Sequence, residues 1–466
     1  MAVNKPQTQE EYDTGRALLL ATVAALGGFL FGFDTAVING AVTAVRDEFQ
    51  MGPFLTGFTV SSALLGCVVG AYAAGWLADR QGRIKVMVLA AVLFLVSAIG
   101  SGLAFSPLDL ILWRVVGGLG VGAASVIAPA YIAEISPASI RGRMGSLQQL
   151  AIVTGIFIAL LSDAFLARVA GGAGSELWFG LPAWRWMFLT GAIPALAYGL
   201  MSLQIPESPR YLVSRGETDK ARGVLGQVLK TGIDERMAEI RRTVVLESRS
   251  SFNDLKHKGT GLLPIVWIGI ALSVFQQFVG INVIFYYSSA LWQQVGFSEN
   301  DALTITVITS VTNIVVTLVA ISVIDKIGRR ILLLIGSAGM AATLGTLAVV
   351  FGTAPVQNNE PVLSHGAGIV ALLAANLFVV FFGVSWGPVV WVLLGEMFNN
   401  KIRASALGLA AAAQWLANFA ISTSFPKLAD IGLAFAYGFY TFFAVLSFFF
   451  VAKFVKETKG RQLEDM

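Results

Sequence analysis

The stretch "QQFVGINVIFYY", Gln276 to Tyr287, lies inside a long apolar run that opens near Leu262. Two adjacent glutamines, an asparagine and paired tyrosines suit lipid badly, because polar groups there must face the protein interior or a water-filled cavity. On a helix, positions 276, 280 and 283 share one face with Gln277 beside it, and Gly280 is where the helix can loosen. Two questions follow: whether the surrounding chain lives in lipid, and what the polar stripe faces.

Composition answers the first. The 466 residues are 56% hydrophobic and 13% charged, with a mean hydropathy of +0.74. A soluble domain carries about 25% charged residues, so a water-soluble fold cannot hide this much apolar surface and a polytopic membrane bundle is expected. The formal charge of +4 is no nucleic-acid signature, and no nucleic-acid partner is expected. The single cysteine, Cys67, excludes an intramolecular disulfide, and His257 and His365 are too far apart in sequence to suggest a metal cluster. The N-terminus does not read as a cleaved signal: a polar segment, 1–16, precedes an apolar run that contains Asp34 and is long enough to span a bilayer at ~20 residues per crossing.

The pattern predicts an all-α membrane protein of twelve helices, at 17–40, 56–78, 84–105, 110–132, 145–168, 185–205, 262–288, 302–324, 331–352, 366–394, 404–425 and 432–454. Residues 1–206 form one six-helix bundle and 261–466 a second with a short tail. Between them, 207–260 is amphipathic and charge-mixed, and reads as short helices on the membrane surface. Of the 32 Lys and Arg residues, Arg46, Arg168 and Lys427 fall in loops on one side, Arg114 and Arg185 in helices, and 27 on the opposite side. By the positive-inside bias that side is cytoplasmic and both termini are inside, in a multi-pass protein of the plasma or inner membrane.

The two bundles echo each other. "DRQGR" (Asp79 to Arg83) recurs as "DKIGR" (Asp325 to Arg329) at an offset of 246. Glu134 with Arg141 recurs as Glu396 with Arg403 at 262, and "PESPR" (Pro206 to Arg210) as "KETKG" (Lys456 to Gly460) at 250. Three matches in one order indicate a duplicated unit, and duplicated halves with a site between them are a recurrent transporter plan.

Each echo falls at the cytoplasmic end of its helix, where acids and cations can form a network that closes the inner face. The expected gate is Asp79, Arg80, Arg83, Glu134 and Arg141 in the first half, and Asp325, Arg329, Glu396 and Arg403 in the second. The cations alone could merely follow the positive-inside bias, but that does not explain Asp79 and Gly82 recurring as Asp325 and Gly328.

Isolated amides recur in the apolar helices: Gln148, Gln149, Asn313, Asn376, Gln414 and Asn418 join Gln276, Gln277 and Asn282. Trp386, Trp391, Trp415, Phe31, Phe382 and Tyr286 lie among them. Amides give hydroxyls paired donors and acceptors, and aromatic rings stack on the C–H face of a sugar. For any single amide the competing reading is interhelical hydrogen bonding worth ~0.6–2 kcal/mol; the concentration of the set in five helices favours a sugar site. Two charges also lie in apolar helices: Asp34 after "GGFLFGF", and Arg114 in "ILWRVVGGLGVG". Each needs a partner or a function. A carboxylate held between desolvation and a nearby cation can take a proton, release Arg114 and permit a transition; a permanent structural pair is the alternative. The dinucleotide-like spacing of Gly118, Gly120 and Ala123 lies in a membrane span and reads as close helix packing.

These motifs resemble the sugar porters of the major facilitator superfamily over essentially the whole chain: "GRIK" after Asp79, "PESPRYL", "QQFVGINVIFYYS", "DKIGRR", "SWGPVVWVLLGEMF", "AAQWLANF" and "KETKG". The resemblance is nearest to bacterial glucose and xylose transporters, and more distant to animal facilitative glucose transporters. It implies alternating access to a central sugar site lined by Gln149, Gln276, Gln277, Asn282, Asn313, Trp391, Gln414 and Asn418, to which the aromatic residues Tyr286, Trp415, Phe31 and Phe382 are added. It implies that Asp34 matches the acidic position of proton-coupled members, where animal uniporters carry Asn. Gly191 stands where some proton-coupled members have Glu, and Gly383 where the uniporters have Glu.

The expected function is uptake of a monosaccharide, a hexose with glucose the first candidate, coupled to H+ through Asp34 and Arg114. The alternatives are a passive uniporter with the same site, and a sugar sensor, against which the short tail to Met466 argues. No nucleophile–base pair or metal cluster marks an enzyme, and no cofactor is expected beyond the proton as coupling ion. The expected surroundings are the lipid bilayer and the sugar, with a monomer as the working unit.

Overall fold

The computed structural model describes residues 11–137, 140–247, 255–257, 261–357, 360–398 and 402–458. Helices dominate. In the first half run α1 (Thr14–Ala36), α2 (Ile38–Glu48), α3 (Pro53–Gln81), α4 (Arg83–Gly102), α5 (Pro107–Ile135), α6 (Arg141–Ala170), α7 (Ala183–Thr190) and α8 (Ala192–Ser202). The linker follows as α9 (Pro209–Ser214), α10 (Thr218–Gly226) and α11 (Ile233–Glu247). The second half comprises α12 (Pro264–Phe278), α13 (Ile281–Gln294), α14 (Glu299–Ile327), α15 (Arg329–Gly352), α16 (His365–Val384), α17 (Trp386–Met397), α18 (Arg403–Ile431) and α19 (Leu433–Phe454).

Four spans are broken helices: α1–α2 at Val37, α7–α8 at Gly191, α12–α13 at Val279–Gly280 and α16–α17 at Ser385. Counted so, each half has six spans. Ten helical segments among the described residues are long and apolar enough to cross a membrane by length and composition, and α7–α8 and α18 complete the twelve. Arg46, Arg168 and Lys427 stand inside α2, α6 and α18, not in loops, because these helices run on past the apolar stretch. The chain enters and leaves the bundles on the face that carries α9 to α11, here the linker face; the opposite one is the far face.

Gly280 decides the local geometry of the opening motif. Its φ of 83° and ψ of 20° place it in the left-handed region, which a side chain resists. A Cβ there would also meet the Tyr440 ring at 2.8 Å. The expected single face over 276, 280 and 283 therefore does not exist. The chain turns at Gly280, leaving Gln276 and Gln277 at the end of one helix and Asn282 at the start of the next.

Small residues weld α3 to α5. A Cβ on Gly118 would lie 1.9 Å from the Ala63 carbonyl oxygen, and one on Gly122 2.2 Å from that of Cys67, so the backbones touch where side chains would normally intervene. The dinucleotide-like spacing is thus a packing seam.

The linker keeps a small core of its own, with Leu212, Ala221, Leu225, Leu229, Met237 and Ile240. The start of the chain pins it: Asp13 N donates to Val228 O at 2.8 Å, and Arg16 Nη2 to Gln227 Oε1 at 2.8 Å.

The halves meet along the far face, where α3 packs on α18, α6 on α14 and α2 on α13. Ser61 and Thr423 share a hydroxyl hydrogen bond of 2.6 Å, and Glu299 Oε1 accepts from Ala173 N at 2.9 Å. Asn39 donates to Phe285 O at 2.9 Å and to Ser288 Oγ at 3.2 Å, and accepts from Ser289 N at 3.1 Å. The far face is shut.

Candidate sugar site, proton pair and gates

The amides at the Gly280 turn form a chain. Asn282 Nδ2 donates to Gln277 Oε1 at 2.5 Å, and Gln277 Nε2 to Gln276 Oε1 at 3.5 Å. Gln276 Nε2 then donates to the carbonyls of Trp386 and Gly387 at 2.7 and 3.1 Å. Gln276 thus ties the break in α12–α13 to the break in α16–α17 and is spent largely on backbone. Gln277 is buried and Asn282 half-buried at the other end of the chain.

On α18, which packs on α12 and α13, Gln414 and Asn418 stand one turn apart. Asn418 Nδ2 donates to Tyr286 Oη at 3.4 Å, and its Oδ1 accepts from Ser422 at 3.0 Å. The Oε1 of Gln414 is buried without a partner among the described residues. Such an acceptor needs a ligand or water. Trp415, next in sequence, meets Phe31 of α1 with ring centroids 5.4 Å apart, so aromatic faces from both halves converge.

Gln149 and Asn313 are half-buried, Phe382 is half-buried against the α17 start at Gly387, and Trp391 is 41% exposed. Among the described residues no hydrogen bond joins Gln149, Asn313 or Trp391 to the amide chain. Two residues of the wider polar set serve the scaffold. Trp386 is fully buried and donates to Leu333 O and Ser337 Oγ at 3.1 and 3.0 Å, and Asn376 accepts from Thr312 across α14 and α16. Gln148 is buried against α1 at Gly28, and its Oε1 has no partner among the described residues.

Asp34 and Arg114 do meet. Arg114, 2% exposed, donates from Nη1 to the Asp34 backbone carbonyl at 2.9 Å and to its Oδ2 at 3.5 Å, and from Nη2 to Val60 O at 3.3 Å. Carbonyls hold the guanidinium more closely than the carboxylate does. A small cavity beside Asp34 is lined by Phe33, Phe94, Ser97, Ser101, Phe188 and Gly191.

At the linker face the duplication is repeated atom by atom. Arg83 donates to Glu134 at 3.1 Å from Nε and 3.0 Å from Nη2; Arg329 donates to Glu396 at 3.1 and 2.8 Å from the same atoms. Gly82 and Gly328, with φ of 94° and 103°, make the turns that present them. The sequence reading saw the third echo but assigned it no role. Glu207 accepts from Arg83 N and Ile84 N at 2.9 and 3.2 Å, and Glu457 from Arg329 N and Arg330 N at 2.9 and 3.0 Å, so each carboxylate caps a helix start. The next residues, Ser208 and Thr458, donate to Glu134 and Glu396. An acid followed by a hydroxyl at both echoes was the available signal. Asp79 is 76% exposed and reaches Arg83 at 3.3 Å, while the Arg80 guanidinium lies 4.3 Å over the Trp76 ring. The side chains of Arg141, Asp325 and Arg403 lie outside the described residues. Every pair named here joins helices of one half.

One buried acid went unread. Asp163 of α6, in "LLSDAF", is fully enclosed and accepts from Gly40 N at 3.3 Å. A lone acid within an apolar run was its signal.

A family model described as "Sugar (and other) transporter" matches residues 20–466. A glucose transport protein of Synechocystis sp. is 62% identical, with 96% of each chain covered. The D-xylose-proton symporter of Escherichia coli K12 is 38% identical, covering 98% of this chain and 96% of that one. A solved structure of the E. coli xylose transporter in a partially occluded inward-open conformation superposes with a TM-score of 0.83 at 37% identity, covering 96% of this chain and all of that one.

Proposed function

We propose, from the premise that this chain belongs to the sugar transporter family of the major facilitator type, that it moves a hexose, glucose first, across the cell membrane together with a proton. The observation that carries this reading is the amide chain of α12–α13, the Gln414 acceptor on neighbouring α18 without a partner among the described residues, and the Asp34–Arg114 pair. The names of the Synechocystis and E. coli relatives support glucose among hexoses and the proton as coupling ion.

In this reading residues 1–206 and 261–466 rock about the sugar, joined by 207–260, and the linker face is cytoplasmic. Gln277, Asn282, Gln414 and Asn418 exchange their internal hydrogen bonds for sugar hydroxyls, with Gln149, Asn313, Trp391, Tyr286, Trp415, Phe31 and Phe382 completing the wall and Gln276 holding the two helix breaks together. A proton on Asp34 removes the charge that Arg114 faces. Arg114 stays on the Asp34 and Val60 carbonyls, so the pair can loosen without stranding a buried guanidinium. The paired networks of Arg83–Glu134 and Arg329–Glu396 stiffen the cytoplasmic ends. One chain suffices, in lipid, with no cofactor.

An uptake panel in reconstituted vesicles, with and without a proton gradient, tests this. Accumulation of one hexose above equilibrium is expected. Equilibration without accumulation would leave the passive uniporter, and no flux of any monosaccharide would end the reading.

A further inference from the structure

α6 encloses a carboxylate that neither the sugar site nor Asp34 uses. Asp163 is 0% exposed; its Oδ2 accepts from Gly40 N at 3.3 Å, and its Oδ1 has no partner among the described residues. A Cβ on Gly40 would lie 2.5 Å from the Asp163 Cβ, so the bare backbone at 40 is what admits the carboxyl.

The elements packed on α6 are α1, α2, α5, α7, α14 and the short strand Glu176–Trp178; Glu176 is exposed, Arg16 of α1 donates to Gln227, and the other described charged groups are engaged elsewhere or lie at helix ends. Asp34 faces Arg114, Arg46 pairs with Asp47, Glu48 with Arg185, and Glu134 with Arg83. Asp109 accepts from Phe105 N, Glu299 from Ala173 N and Asp301 from Ser298. Arg168, on α6 itself, lies toward the far end, and Lys326 at the other end of α14. Among the described residues no cation lies within ion-pair distance of Asp163. A carboxylate with one amide donor and no cation, sealed from water, is far better tolerated as the neutral acid.

The place matters as much as the burial. Asn39, which bonds α13 across the halves, immediately precedes Gly40, which bonds Asp163. Both lie just beyond the helix break at Val37, whose other side is held by Arg114 on the Asp34 carbonyl. The start of α2 is thus clamped between the opposite half and Asp163. Opening of the far face separates α2 from α13, on which it packs.

We propose that Asp163 is a second proton-binding site, which holds its proton while the far face is shut and exchanges it with far-side water when α2 leaves α13. The step is a simple proton transfer from water to carboxylate and back. The alternation rests on the transport reading above; the proton site does not.

Spin labels on Phe54→Cys and Ile431→Cys, at exposed far ends of α3 and α18, read far-face opening in the full-length protein after Cys67→Ala. In an Asp34→Asn background, the open-to-shut ratio should still rise with pH, by up to about tenfold per unit for one proton. Adding Asp163→Asn, which keeps an oxygen acceptor for Gly40 N, should flatten that dependence. A flat response before Asp163 is changed, or an equal slope after, overturns the proposal. Should Asp163→Asn fail to fold, infrared spectroscopy of the Asp34→Asn protein with carbon-13 aspartate decides: a protonated carboxyl band that shifts with the label is expected, and its absence overturns the site. Failure of hexose uptake with these pH responses intact would sink the transport reading alone.

Discussion

Ser289 and Asn39 bond twice across the two halves: Ser289 N donates to the Asn39 side chain at 3.1 Å, and Ser289 Oγ to the Asn39 carbonyl at 2.5 Å. With the bonds from Asn39 Nδ2 to Phe285 O and Ser288 Oγ, this makes Asn39 the centre of the far seam. Phe285 O and Ser289 N keep their bond to each other within α13, so Asn39→Ala removes only the side-chain bonds that cross the seam, a cost of about 1–3 kcal/mol, or roughly 5- to 150-fold in the open-to-shut ratio. The far-face spin-label distance should lengthen accordingly. An unchanged distribution would show that the seam does not depend on this residue.

Gln277→Ala and Asn282→Ala should weaken hexose binding by roughly 5- to 150-fold, from a loss of ~1–3 kcal/mol in amide hydrogen bonds. Gln276→Ala should differ in kind. It removes the two bonds that tie the α12–α13 break to the start of α17 even without sugar, so it should lower the melting temperature of the empty protein, whereas Asn282→Ala should not. Calorimetric binding and thermal melts, run side by side, separate the two roles.

Asp34→Asn should abolish proton-driven accumulation while leaving exchange of labelled for unlabelled sugar. One proton crossing ~100 mV supplies about 2.3 kcal/mol, enough for a roughly 50-fold sugar gradient. Because Arg114 keeps its two carbonyl bonds, the variant should fold normally. Residual accumulation in Asp34→Asn would remove it from the coupling step.

At the linker face, Glu134→Ala should destabilise the protein far more than Asp79→Asn. Glu134 is the bidentate partner of Arg83, which is 10% exposed, and stranding such a cation costs about 3–5 kcal/mol. Asp79 is mostly in solvent, where such a pair is worth ~0–1 kcal/mol. Asp79→Asn should therefore spare sugar binding and act, if at all, on transport rate. Equal melting temperatures for the two variants would contradict the geometry.

The membrane fold was legible because lipid admits few solutions: long apolar runs must be helices, and the charge asymmetry and the repeated "DRQGR" and "DKIGR" placed their ends. Gln276, Gln277 and Asn282 stood out because amides are rare in such runs. Their division of labour was not legible, since it depends on the turn at Gly280 and on carbonyls more than a hundred residues away, at Trp386 and Gly387. Glu207 and Glu457 were read as repeat markers, because nothing in a linear pattern says that an acid after the last helix of a half will cap the third one. Asp163 was passed over because its meaning comes from Gly40, a residue 123 positions earlier.

The backbone weld between α3 and α5 has a mechanical consequence. With carbonyls at Ala63 and Cys67 resting against glycines, there are no interposed rotamers to slip past one another, so these two helices can only move together. A pair of probes placed on them is then a built-in ruler, whose length should stay fixed through the whole transport cycle. Any kinetic barrier between the two orientations must arise at the seam between halves and in the broken spans, where water and sugar enter, and not from shear within this pair.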